Sequence, residues 1–133
     1  MSKAINKIPK RGEIWLVDYN YKPKKGKEKE LEIASKIKKI RPSLIVSNDA
    51  QNEFDIEIIV IPLSSQELER IRPHELLIKK NKENGLEVDS KILFNRLRNI
   101  EKDTRLGEER VGRVSPEIME KVKKKLKLAL ELE

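Results

Sequence analysis

One histidine, no cysteine and thirty lysine or arginine side chains set the chemistry open to this 133-residue chain. A thiol nucleophile, a disulfide and a thiolate metal site are excluded, which suits a reducing compartment. No HxxE or paired-Asp spacing falls on a recognisable helix, so the sequence arranges nothing to fix a cation, and no metal or other cofactor is expected. Neither phosphate-loop pattern, GxxxxGKS/T or GxGxxG, occurs. Ser64 and Ser65 follow Pro62-Leu63 without the flanking glycines of a nucleophile elbow. Any chemistry must therefore use arginine, serine, the single histidine (His74) and carboxylates.

The charge is unevenly placed. Of a formal net charge of +7, the segment Lys22–Arg41 holds +6, with nine basic residues against Glu28, Glu30 and Glu32. A localised basic segment is the electrostatic footprint of a polyanion, nucleic acid first. The same composition also fits a solvated, lysine-rich surface loop, and charge alone does not separate the two. Its Gly, Pro and Lys content, between two apolar blocks, marks it as a loop or flap.

The blocks around it must position these groups. Hydrophobic residues are 37% and charged residues 40%, a lean balance, yet the apolar positions are clustered as disordered chains do not cluster them. The length suits one domain. No apolar run approaches the ~18 residues of a membrane helix, and Met1–Lys10 has no apolar signal core, so a cytoplasmic protein is expected. Gly12–Tyr19, Arg41–Ser47, Ile56–Leu63, Glu75–Ile78 and Ser90–Phe94 read as short strands, the third too apolar for an open edge. Gln66–Arg72 reads as a short helix before Pro73. Ser115-Pro116-Glu117 supplies an N-cap, a proline at the first helical position and an acid in the first turn. Behind it Ile118, Met119, Val122, Leu126, Ala129 and Leu130 recur at helical spacing. Short strands closed by one terminal helix predict a mainly β fold, a strongly bent antiparallel sheet or partly open barrel.

Three blocks carry a resemblance. Arg11-Gly12-Glu13-Ile14-Trp15-Leu16-Val17-Asp18, Ile40-Arg41-Pro42-Ser43-Leu44-Ile45-Val46-Ser47-Asn48-Asp49 and Ile59-Val60-Ile61-Pro62-Leu63-Ser64-Ser65 together resemble the MazF/PemK family of toxin ribonucleases. Asp89–Leu93, Arg98–Lys102 and Ser115–Val122 are similar to its fifth-strand region and closing helix. The match runs from about Lys10 to the C-terminus, leaving residues 1–10 as a tail and 11–133 as one domain with a basic insertion at about 22–40. The resemblance implies an SH3-like small barrel of the CcdB/MazF type, with a short mid-chain helix and a C-terminal α-helix. It also implies a homodimer that cuts single-stranded RNA at a short motif without metal and is held inactive by an acidic antitoxin of the MazE/PemI kind.

It further implies roles for residues. Arg41 stands at the family's catalytic arginine, where a planar guanidinium grips two phosphate oxygens and stays ionised. Ser64 stands at a catalytic Thr/Ser position, with Ser65 beside it as the alternative register. Lys25-Gly26-Lys27-Glu28 resembles a stretch that makes Glu28 a candidate base, although Lys29–Lys38 here separate it from Arg41. His74 matches a histidine of some members, and imidazole is the side-chain type best suited to proton transfer near neutral pH. The acidic fifth-strand residue of some relatives corresponds to Asn95, so that role is not carried over. Lys24, Lys25, Lys27 and Lys39 are candidate RNA contacts, with Tyr19 and Tyr21 as stacking candidates; Trp15 reads as core by default, and Phe54 as a further aromatic. The rival readings are a non-catalytic nucleic-acid-binding barrel and a CcdB-like topoisomerase poison.

Overall fold

The computed structural model describes residues 7–19 and 40–132. Seven antiparallel strands and three α-helices alternate along them: β1 (Glu13–Asp18), β2 (Ile40–Ile45), α1 (Asp49–Phe54), β3 (Glu57–Ser64), β4 (Glu75–Ile78), β5 (Ser90–Leu93), a single 3-10 turn (Phe94–Arg96), β6 (Arg98–Glu101), α2 (Lys102–Arg105), β7 (Leu106–Arg113) and α3 (Pro116–Leu130). The sheet runs β4-β5-β3-β2-β1-β7, and β6 joins the β5 edge of β3. The expected bent antiparallel sheet is therefore the one formed.

β3 organises it. Its side chains alternate between two apolar layers. Ile58 and Val60 join Trp15, Val17, Ile45, Ile100 and Leu106 on one face. Ile61 and Leu63 join Ile14, Leu44, Ile78, Ile92, Phe94 and Val122 on the other. A strand covered on both faces has no room for polar alternation, which explains its continuous apolar run. Along its outer edge the chain moves from Ile92, opposite Leu63, to Arg98, opposite Val60. That is six residues against three in β3, and the 3-10 turn takes up the surplus.

The two ends of the sheet meet through the loop between β4 and β5. The Arg113 N–H donates to the Glu83 carbonyl at 3.0 Å. Asn84, 2% exposed, shapes this loop by accepting from the Asn81 and Leu86 amides and donating to the Lys79 carbonyl. The approach is so close that a Cβ on Gly85, at φ +68°, would lie 2.1 Å from the Val111 carbonyl oxygen, and one on Gly112 2.4 Å from Asn84. Only glycine fits at this seam.

α3 begins as the sequence predicts, with the Ser115 hydroxyl accepting from the Ile118 amide. Val122 is fully buried and Ile118, Met119 and Leu126 partly so. Beyond Leu126 the predicted stripe is solvent-exposed, Leu130 at 53%. One local expectation is corrected. No helix forms over Gln66–Arg72: Glu67 adopts a left-handed φ of 48°, the Arg70 amide closes a turn on the Glu67 carbonyl, and both that carbonyl and the Arg70 carbonyl accept from Lys91. The mid-chain helix is α1, which opens where Asn48 accepts from the Gln51 amide at 2.8 Å. Its far end is closed by the buried Lys102 ammonium, donating to the Asn52 and Glu53 carbonyls.

Candidate functional site

β2 and β3 bring the two leading candidates together. Ser43 pairs with Pro62 across the ladder, and extending that register by two residues sets Arg41 opposite Ser64. Both are half-buried, and both line the same two clefts. The position of Arg41 is also fixed from its other side, where it pairs with Val17 of β1. Ser64 ends β3, and its hydroxyl oxygen accepts from the Gln66 amide at 3.1 Å. That leaves its own proton available for donation.

The smaller cleft, about 340 Å³, is lined by Tyr19, Arg41, Pro62, Ser64, Gln66, Leu93, Arg96 and Arg98. Three guanidinium groups and, among the described residues, no carboxylate line it. Among the described residues the ion pairs involve none of these three arginines. Arg98 stacks on Tyr19 with 5.1 Å between its guanidinium carbon and the ring centroid, and the Tyr19 and Ser43 hydroxyls lie 2.7 Å apart. Burial pushes the Tyr19 phenol up; the Ser43 hydrogen bond and the positive charges of Arg98, Arg41 and Arg105 oppose it, and the balance stands at about 12. Tyr19 is thus a neutral phenol at physiological pH.

The larger cleft, about 710 Å³, shares Arg41, Ser64 and Gln66 and adds Ser65 and an apolar floor that includes Leu16, Ile40, Leu63 and Val88. A charged junction beside an apolar trough suits a chain with an anionic backbone and flat bases. Among the described residues, no group of three or more His, Cys, Asp or Glu side chains could hold a metal ion, and no helix is long and apolar enough to cross a membrane.

The other sequence candidates fall elsewhere. His74 lines neither cleft, and its Nε2 lies 3.8 Å from Glu75 Oε2. Trp15 is core, donating its indole N–H to Glu13. Phe54 is 81% exposed on α1 and lines neither cleft. Glu28, Lys24, Lys25, Lys27, Lys39 and Tyr21 lie outside the described residues. Arg96, Arg98 and Gln66 are cleft residues that the sequence reading did not single out. Arg-Leu-Arg was visible as a pair of like charges two apart, but its aim depends on the 3-10 turn.

A family model described as the PemK-like, MazF-like toxin of type II toxin–antitoxin systems matches residues 10–130. No curated protein matches the chain. Among solved structures, an endoribonuclease from a mycobacterial species superposes with a TM-score of 0.68 at 22% identity, covering 95% of this chain and 94% of that one. An endoribonuclease in complex with its cognate antitoxin, also mycobacterial, gives 0.66 at 22% identity, covering 95% and 96%. A MazE-MazF structure from Deinococcus radiodurans gives 0.70 at 17% identity, covering 96% and 100%. At these identities the likeness is one of fold.

Proposed function

The chain belongs to the PemK-like, MazF-like toxin family of type II toxin–antitoxin systems, and from that premise we propose that it is an endoribonuclease cutting single-stranded RNA where Arg41 and Ser64 meet. In the proposed reaction the 2′-OH of one nucleotide loses its proton and attacks the adjacent phosphorus. The P–O5′ bond breaks and the 5′ oxygen takes up a proton. The products are a 2′,3′-cyclic phosphate and a 5′-OH; water is not consumed, and the nucleophile comes from the RNA itself. The protein must align the attack and stabilise charge on the phosphorane.

One observation carries the reading: Arg41 and Ser64 converge at the junction of two clefts in a lining that holds three arginines. Arg41 takes the non-bridging oxygens of the scissile phosphate. The Ser64 hydroxyl donates to the same group or accepts from the 2′-OH, while Arg96 and Arg98 hold neighbouring phosphates. Bases splayed along the apolar trough would supply preference for a short motif. The same reading makes the chain a homodimer restrained by an acidic antitoxin of the MazE/PemI kind, drawn by the positive field that draws RNA.

The test is incubation of the purified protein with mixed single-stranded RNA in EDTA. Wild type should cleave it. Arg41→Ala should lose roughly a hundredfold or more of that rate, and Arg41→Lys should recover little, because an ammonium lacks the planar fork. Intact RNA after incubation with antitoxin-free wild type would overturn the reading.

A further inference from the structure

The most deeply buried charges near the cleft belong to neither Arg41 nor any cleft-lining group. Lys91 of β5 and Glu75 of β4 each leave only 5% of the side chain exposed, with Nζ and Oε1 3.1 Å apart. Lys91 pairs across the ladder with Ser64 itself. Its ammonium uses its remaining donors on the Glu67 carbonyl at 3.0 Å and the Arg70 carbonyl at 3.3 Å. Glu75 Oε1 also accepts from the Arg72 amide at 3.0 Å, and the Glu75 amide returns a bond to the Arg72 carbonyl at 2.9 Å.

Every one of those loop groups lies in Ser65–Arg72, the stretch that leaves β3 directly after Ser64. It has no ladder or helix of its own, and Glu67 holds a left-handed backbone without being glycine. Its first residues, Ser65 and Gln66, line the clefts, and Gln66 donates to the Ser64 hydroxyl. A buried ion pair is weak as a source of stability, since an apolar pair of similar volume commonly does as well. What an apolar pair cannot do is bond three backbone groups of an irregular loop. Burial pushes the Glu75 carboxyl up, but the Arg72 amide, Lys91 and His74 together hold it below its ordinary value, so Glu75 is a carboxylate at neutral pH.

We infer that Glu75 and Lys91 are positioning residues: their buried pair sets the path of Ser65–Arg72 and thereby the orientation of Ser64 and Gln66 in the cleft. This rests on the ribonuclease reading for its catalytic consequence, though not for its structural one. The test compares wild type with the double variant Glu75→Leu/Lys91→Met, using thermal unfolding, backbone amide NMR shifts and RNA cleavage kinetics. The double variant should unfold within a few degrees of wild type. Its amide shifts should move across residues 64–72 and stay fixed in α3. Its kcat should fall at least tenfold, with KM changed less than threefold. Unmoved shifts in 64–72 would overturn the inference whether or not the protein cuts RNA; moved shifts with an unchanged kcat would overturn its catalytic half. A wild type that never cleaves would sink the ribonuclease reading alone, leaving the shifts to decide the positioning role. If the double variant does not fold, Glu75→Gln, which keeps the shape and an acceptor, should show a smaller perturbation in the same segment, and none would again overturn it.

Discussion

At the scale of single residues the cleft sets the Ser64 hydroxyl among three arginines, Arg41, Arg96 and Arg98. Ser64→Ala should lower kcat about ten- to a hundredfold with little change in RNA affinity, because binding is carried mainly by phosphate contacts. Ser64→Thr should stay active, whereas a dead Ser65→Ala beside an active Ser64→Ala would move the role one residue along. Steady-state kinetics on the three variants decides. Glu75 gives a pH signature. Its carboxyl in the fold lies below the 4.5 of free glutamate, so its contribution to stability is complete above about 4.5 and disappears as pH falls through the lower folded value. Urea unfolding between pH 7 and 3 should therefore show a flatter acid slope for Glu75→Gln than for wild type; equal slopes would show that Glu75 is not held down. The placement of Arg41 and Ser64 on adjacent strands was legible in the sequence because each borders an apolar strand block, Arg41 near the start of β2 and Ser64 at the end of β3. Arg96 and Arg98 were not, since a local turn and not a repeat decides where they face.

At the scale of elements, legibility followed burial. β1, β2, β3, β4 and β5 were readable because their apolar residues sit in short blocks, and α3 because Ser115 and Pro116 mark its start. β7 escaped: along Leu106–Arg113 only Leu106 is buried, and an edge strand carrying Gly-Glu-Glu-Arg has no apolar alternation to detect. α1 escaped for a related reason, as six residues with one buried side chain, Asn52, leave no stripe. The helix expected at Gln66–Arg72 lost to long-range bonds from Lys91 and Glu75, which no local propensity encodes. The seam between β7 and the β4–β5 loop depends on contact rather than ladder pairing. Gly112→Ala should accordingly cost about 1–3 kcal/mol in chemical denaturation, because the new methyl meets backbone at 2.4 Å. A variant as stable as wild type would show that the seam yields freely.

At the scale of the whole molecule, two apolar layers on opposite faces of one bent sheet flank β2 and β3, the strands on which Arg41 and Ser64 meet. Under the proposed reaction such a frame would present its charges already aimed, so that electrostatic stabilisation would need little reorganisation. In the proposed reaction the RNA itself provides the nucleophile, and that distinguishes it from attack by water. The most direct measurement is the chemistry of the product ends, read by mass spectrometry after cleavage of a defined single-stranded RNA, beside the same RNA carrying a 2′-deoxy nucleotide at the cut. The account predicts 5′-OH and 2′,3′-cyclic phosphate ends from the first and no cut in the second. Ends bearing 5′-phosphate and 3′-OH, or cleavage of the deoxy substrate, would mean that water attacks the phosphorus and would contradict it.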